Sequence, residues 1–202
     1  MKFEYLNIPF PHTIIHNYFS EEEVENIITE KNDIILNVNP LDLIPENDLH
    51  HKKLINNNKT LTFDLDRLYT NRRENSNILL YTRKIFTLSN SCSLNYKLNN
   101  FLKYIPLSSR YSSFLNIYKD GSYYDAHIDI STLTVLSVVW DISTSVKECK
   151  SDHLYFYDYD YYPNLHHNSC IIFPSYEVHG VKKINCSSNS HRITINQRLY
   201  VG

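Results

Sequence analysis

The residues whose types and spacing could do chemistry gather first between Leu115 and Asp129, LNIYKDGSYYDAHID. Alternate side chains of a β-strand share a face, so His127 and Asp129 can converge on one point while Ile128 turns into the opposite layer. An imidazole and a carboxylate so placed supply two members of a 2-His-1-carboxylate set, the arrangement that holds non-heme Fe(II) and leaves open coordination positions. The third member has to come from further along the chain. Residues 170–181, CIIFPSYEVHGV, read as a buried strand, a proline-bounded turn and a histidine opening the next strand, which makes His179 the candidate.

Two more features bear on the same site. Arg192 and Thr194 share one strand face, where a guanidinium and a hydroxyl can grip a carboxylate through bidentate, charge-assisted bonds. A buried arginine needs an anion, and a dicarboxylic co-substrate would supply one. Asp120-Gly121 is a hairpin-turn dipeptide, which predicts that Tyr123 to Asp129 forms the second strand of a hairpin with Tyr118 across from the metal pair. Of three glycines, Gly121 and Gly180 are the only internal ones, and both fall beside these motifs. The competing reading is three polar strand residues that satisfy one another or face water. Catalytic zinc also takes two histidines and a carboxylate. Against zinc stand the lack of a separate candidate general base beside the triad and the presence of the carboxylate clamp.

In the order Tyr118-x-x-Gly121, His127-x-Asp129, His179-Gly180-Val181 and Arg192-x-Thr194, the chain resembles the Fe(II)/2-oxoglutarate-dependent dioxygenase superfamily, most closely its prolyl-4-hydroxylase-like branch, over about residues 111–200. The opening stretch, residues 8–20, IPFPHTIIHNYFS, is similar to the entry strand and first helix cap of small phage and bacterial members. The chain departs from the pattern at Ser151-Asp152-His153-Leu154, where many relatives carry Gly-Gly-Glu-Leu, and in using Arg192 where some prolyl hydroxylases use lysine. The resemblance implies a double-stranded β-helix, a jelly roll shared with cupins, mainly β with N-terminal helices supporting one face. It implies Fe(II) on His127, Asp129 and His179 as the metal and catalytic set. It also implies 2-oxoglutarate held by Arg192 and Thr194 with help from Tyr118 and Asn116, molecular oxygen as the other co-substrate, and ascorbate as an accessory. The implied reaction converts 2-oxoglutarate to succinate and carbon dioxide while a hydroxyl enters a peptidyl, prolyl-like or small amino-acid-like substrate, with Tyr124 and Trp140 as pocket walls.

The first alternative is an AlkB-type oxidative nucleic-acid dealkylase. Asn116-x-Tyr118-x-x-Gly121, and Arg192 followed six residues later by Arg198, both resemble that group. Against it stand a net charge of −2, the entry segment Pro9 to His12, and the lack of an evident basic, aromatic-bearing lid for an extruded base. Arg67, Arg72 and Arg73 form the only compact basic group, and a solvated loop suits them. The second alternative is a non-catalytic, cupin-like metal-binding module.

The elements that must position these residues follow from composition and pattern. A chain of 202 residues with 42% hydrophobic and 13% aromatic content can bury one sizeable core. A single domain over 1–202 is therefore expected, with a helical support region to about 110 and a β core from about 111. Ser20 to Glu23 reads as a capping box that opens a helix to about Lys31, its acidic first turn favouring the positive end of the helix dipole. Residues 32–59 read as a long surface insert, and loops of that length are often lids. Thr60 to Asp66 reads as a strand, and Ile78 to Leu88 and Leu94 to Tyr104 as helices, the second ended by Pro106. Seven strand-like runs follow: 113–118, 123–130, 133–142, 153–159, 169–173, 178–184 and 192–200. In the run YFYDYDYY, alternation puts Tyr155, Tyr157, Tyr159 and Tyr161 on one face, a surface on which a peptide could lie. No window is apolar enough to span a membrane, and the first residues lack a signal-peptide core. Cys92, Cys149, Cys170 and Cys186 show no close pairing, which predicts four free thiols and a cytoplasmic protein.

Overall fold

Strand-period alternation marks ten strands among the described residues. They are β1 (Lys2–Leu6), β2 (His12–His16), β3 (Thr60–Asp64), β4 (Ser108–Tyr118), β5 (Tyr124–His127), β6 (Thr134–Asp141), β7 (Leu154–Phe156), β8 (Ser169–Pro174), β9 (His179–Val181) and β10 (Arg192–Val201). The computed structural model describes residues 1–43, 60–90, 94–95, 97–129, 133–143, 154–186 and 190–201. Seven strands form one antiparallel sheet in the order β1-β2-β8-β6-β10-β4-β3, and β5-β9-β7 form a second. The two sheets make the jelly roll implied by the sequence. The half before residue 110 gives three strands to the large sheet as well as the helices.

Parity along β10 decides which side chains meet. Register pairs Arg192 with Tyr118, Thr194 with Asn116 and Asn196 with Phe114 on β4, and Thr194 with Asp141, Asn196 with Val139 and Arg198 with Ser137 on β6. These residues therefore share the face turned toward the small sheet. The intervening residues, Ile193, Ile195 and Leu199 with Leu115, Ile117, Leu136, Val138 and Trp140, turn the other way and pack against the helices. There α1 (Glu21–Asn37) contributes Ile27 and Ile34, and α3 (Asn77–Thr82) contributes Ile78 and Leu79. Between these two helices in the chain lies α2, a single turn over Leu65–Leu68. A second, smaller hydrophobic cluster of Phe10, Ile14, Ile171, Phe173 and Phe156 closes the space between the sheets on the β1-β2 side.

The capping box holds: the Glu23 amide donates to Ser20 Oγ at 3.3 Å and the Ser20 amide to Glu23 Oε2 at 3.0 Å. The helix it opens runs to Asn37, six residues into the stretch read as a surface insert, because Ile27 and Ile34 continue the buried stripe. Residues 44–59 of that insert, and 151–153 of the departure loop, lie outside the described residues. The helix read over Ile78 to Leu88 is broken near Arg83 into α3 and α4 (Lys84–Asn90). Buried Glu30 of α1 accepts from Ser76 Oγ and the Ile78 amide at 2.6 and 2.9 Å, docking the start of α3 onto α1.

Three expectations fail. Leu94 to Tyr104 is not a helix: only Asn100–Tyr104 makes a 3-10 turn. Its asparagines bond elsewhere, Asn95 Oδ1 accepting the Lys97 amide and Asn99 reaching Leu6 O, Asn7 and Thr13. Such local and crossing bonds compete with helical ones. Asp120-Gly121 does not make a hairpin. Gly121, at φ 76°, turns the chain out of the large sheet at Tyr118 and into the small one at Tyr124. The tyrosine run does not stay extended either. β7 ends at Phe156, Tyr157–Tyr159 form a 3-10 turn, and Asp160 takes the left-handed conformation at φ 49°. The turn clusters Tyr155, Tyr157 and Tyr162 around the Lys182 ammonium, which lies 3.4 Å from the Tyr155 ring centroid.

Cys170 is free and buried, but Cys186 is disulfide-bonded, which corrects the expectation of four free thiols and removes its support for a reducing compartment. No helix among the described residues is long and apolar enough to cross a membrane. Trp140 is fully buried on the helix face, edge-on to Tyr18 at 5.9 Å, so it belongs to the core and does not wall the cavity between the sheets. Trp140→Ala should cost about 3–5 kcal/mol of stability in urea unfolding while leaving Fe(II) affinity intact. A loss of metal affinity without loss of stability would return Trp140 to the site.

Candidate metal centre

β5 needs an irregularity to present the site. Its register with β9 pairs Tyr124 with Val181 and His127 with His179, three steps on β5 against two on β9. That extra residue is a bulge, which re-aims side chains locally. Without it strict alternation would put Tyr124 and His127 on opposite faces. With it both face the cavity, their rings 4.7 Å apart. Gly180 sits against the bulge so closely that a Cβ there would meet Tyr124 O at 2.7 Å and Asp125 O at 3.1 Å. The glycine and the bulge are one device.

His127, Asp129 and His179 each offer a ligand atom, all within 4.8 Å of one another. His127 Nε2 is 3.4 Å from Asp129 Oδ1, and His179 Nε2 is 3.5 Å from Oδ2. Both imidazoles are fixed in the same way: His127 Nδ1 lies 2.9 Å from Asp125 O and His179 Nδ1 2.9 Å from Glu177 O. A carbonyl can only accept, so each Nδ1 carries the proton and donates, leaving a lone pair on each Nε2 aimed at the shared centre. Burial pushes the His179 imidazole down to about 4, against the pull of Asp129, so it is neutral and able to ligate near neutral pH. Burial alone would raise the Asp129 carboxyl. The bond from His127 and the charges of His179 and Arg198 outweigh it and hold the group well below the usual carboxylate range. Two imidazole nitrogens and one ionised carboxylate on one side of a cavity fit a divalent metal with positions left open.

Tyr118, Asn116, Arg192, Thr194 and Tyr124 line the same cavity; Trp140 does not. Arg192 is 2% exposed, its Nε donates to Asp141 Oδ2 at 3.1 Å, and its Nη2 has no hydrogen-bond partner among the described residues. An unpartnered buried guanidinium nitrogen is costly and calls for an acceptor in the cavity. Its plane faces the Tyr118 ring at 5.6 Å, and burial raises the Tyr118 phenol, which stays protonated as a donor. Asn116 Oδ1 accepts from Thr62 Oγ1 at 2.8 Å. The Thr194 hydroxyl donates to Asn196 Oδ1 at 2.9 Å, so it has to turn before it can serve a bound carboxylate.

Sequence reasoning missed Asp141 and Ser137 and named Arg198 only in the dealkylase alternative. Ser137 Oγ donates to Asp129 Oδ2 at 2.7 Å, and Arg198 Nη2 lies 2.7 Å from Asp129 Oδ1. The signal was available in register: β6 residues opposite β10 cavity residues must face the cavity, and they are Ser137, Val139 and Asp141, not Trp140.

No family profile and no curated protein matches this sequence. In solved structures the same fold is found among prolyl hydroxylases. A Pseudomonas putida prolyl-4-hydroxylase aligns over 95% of this chain and 92% of its own, with a TM-score of 0.55 and 13% identity. A Trichoplax adhaerens prolyl hydroxylase, solved in complex with a hypoxia inducible factor oxygen degradation domain peptide fragment, aligns over 94% of this chain and 83% of its own, with a TM-score of 0.61 and 13% identity.

Gly180→Ala should force β9 away from the β5 bulge. The expected result is a loss of about 1–3 kcal/mol in stability together with weakened Fe(II) binding in calorimetric titration. Wild-type metal affinity in the alanine variant would show that the close approach does not aim His127.

Proposed function

We propose that the protein is an Fe(II)- and 2-oxoglutarate-dependent dioxygenase that hydroxylates a peptidyl, prolyl-like substrate. The observation that carries this reading is the buried Arg192 Nη2, without an acceptor among the described residues, in the same cavity as three convergent metal-ligand atoms. A metal set alone would suit a binding module; a metal set with an unsatisfied cation beside it asks for an anionic chelator.

His127 Nε2, Asp129 and His179 Nε2 would hold the iron. When bound, iron and 2-oxoglutarate supply the oxidative chemistry that yields succinate, carbon dioxide and a hydroxylated product, and the protein's part is position and exclusion of water. Arg192 offers Nη2 to the distal carboxylate of 2-oxoglutarate, its fork kept in place by Asp141. Tyr118 donates its phenolic proton and Asn116 lies beside it on β4. Tyr124, its ring tilted against that of His127, forms the wall where the substrate enters. Asp129 stays ionised through His127, His179 and Arg198, so ligation needs no proton to leave it. The dealkylase reading is weaker, because Arg198 is paired with Asp129 and the remaining nitrogen of Arg192 serves 2-oxoglutarate in either reading, so neither cavity cation is left for phosphates.

Adding 2-oxoglutarate to the anaerobic Fe(II) protein should produce a visible charge-transfer band, absent in His127→Ala and Asp129→Ala. Zinc in metal analysis, with no such band, would make the chain a binding module. Arg192→Ala should raise the apparent 2-oxoglutarate constant far more than it alters iron binding, and Arg192→Lys should not restore it, since lysine lacks the fixed fork. Substrate class is tested by succinate release, with ascorbate present, on proline-rich peptides, free amino acids and methylated oligonucleotides. A peptide gaining the mass of one oxygen supports the proposal, and formaldehyde from methylated DNA or RNA alone overturns it.

A further inference from the structure

A second concavity lies outside the cavity between the sheets. Its lining is unusual for a surface: Pro11, Leu98, Phe101, Tyr104, Pro174 and Tyr176. Tyr176 is 61% exposed, Leu98 48% and Tyr104 38%, so large apolar faces stand open to solvent. Lys97 and Lys103 complete the rim together with the amides of Asn7 and Asn100, and no carboxylate lines it among the described residues. Glu177, the acid next in sequence to Tyr176, is 4% exposed and engages the Tyr159 hydroxyl instead.

The walls are built, not incidental. Buried Asn99 ties the 97–104 segment to the β1-β2 connection, donating to Leu6 O at 3.2 Å and Asn7 Oδ1 at 2.8 Å and accepting from Thr13 Oγ1 at 2.7 Å. The opposite wall, Pro174 to Glu177, is the turn whose carbonyls hold two of the three candidate metal ligands: Ser175 O accepts the Asp129 amide at 2.9 Å and Glu177 O the His179 Nδ1 proton. The groove is thus one turn of chain from the metal centre.

Rings set beside prolines form the kind of slot into which an extended, proline-containing chain packs, because that chain is already ordered and loses little entropy on docking. Two ammonium groups with no opposing carboxylate select acidic neighbours for those prolines. We infer that this groove docks an acidic, proline-containing segment of the polypeptide substrate, remote from the residue that reacts. The inference rests on the reading of a peptidyl substrate, and its test uses neither iron nor 2-oxoglutarate.

A fluorescein-labelled peptide of alternating proline and glutamate is titrated with the full chain and followed by anisotropy, beside an alternating proline-lysine peptide and a single-stranded oligonucleotide. The expected result is preference for the proline-glutamate peptide, weakened about tenfold or more by Tyr176→Ala and by the double variant Lys97→Glu/Lys103→Glu. The double variant should gain the proline-lysine peptide, which a merely misfolded protein would not. Unchanged affinity in both variants, no binding of the proline-glutamate peptide to the parent chain, or binding of the oligonucleotide in its place overturns the inference. Failure of the charge-transfer band would sink the oxygenase reading and leave this result standing.

Discussion

The structure turns on how one buried carboxylate is satisfied. Asp129, its side chain 8% exposed, receives Ser137 from β6, faces Arg198 from β10, and passes its own amide proton to Ser175 in the turn before β9. The imidazoles of β5 and β9 close on its two oxygens. Removing a carboxylate from water costs several kcal/mol unless bonds and charges replace the solvent, and here they come from both sheets. The same group therefore fixes where the sheets meet and where a cation belongs. Arg192 and Asp141 repeat the theme on the large sheet, with the difference that one guanidinium nitrogen is left over.

Site chemistry was largely legible because its spacing is local. His127 and Asp129 are two residues apart, and the capping box at Ser20 and the strand runs of the second half declare themselves within a few residues. What failed depended on partners distant in sequence. Asp120-Gly121 carries all the signs of a hairpin, yet β4 finds β10 and β3 as neighbours and β5 finds β9, so the same turn becomes a passage between sheets. Trp140 was misplaced because the cavity parity of β6 is set by its register with β10. The bulge that lets Tyr124 and His127 share a face cannot be read from the β5 residues alone, although Gly180 across from it is its trace in the sequence. Asparagine was the other source of error. Around residue 95 the apolar spacing suits a helix, but Asn95 and Asn99 find better bonds outside one.

Tyr157 and its neighbours show how aromatic density can mislead in the same way. Period-2 counting treats the run as a ribbon, whereas a left-handed residue at Asp160 curls it around Lys182, and Phe156 is left inside against Phe10, Phe173 and the His179 ring at 6.0 Å. The tyrosines then act as one packed collar behind a candidate ligand.

Among the described residues β10 is the last strand in chain order, yet it lies inside the seven-stranded sheet, with β6 on one side and β4 on the other. On the ribosome, then, neither of those neighbours can complete its ladder until β10 has been synthesised. Two unpaired edges would wait in the nascent chain, each a template for wrong partners, and closing them requires contacts across long stretches of sequence. Arg192 and Arg198 arrive with that strand. A ribosome that stalls before them leaves a polypeptide with its histidines and its aspartate but with neither the cavity cations nor the strand that joins β6 to β4, and such a fragment is material for proteases and chaperones.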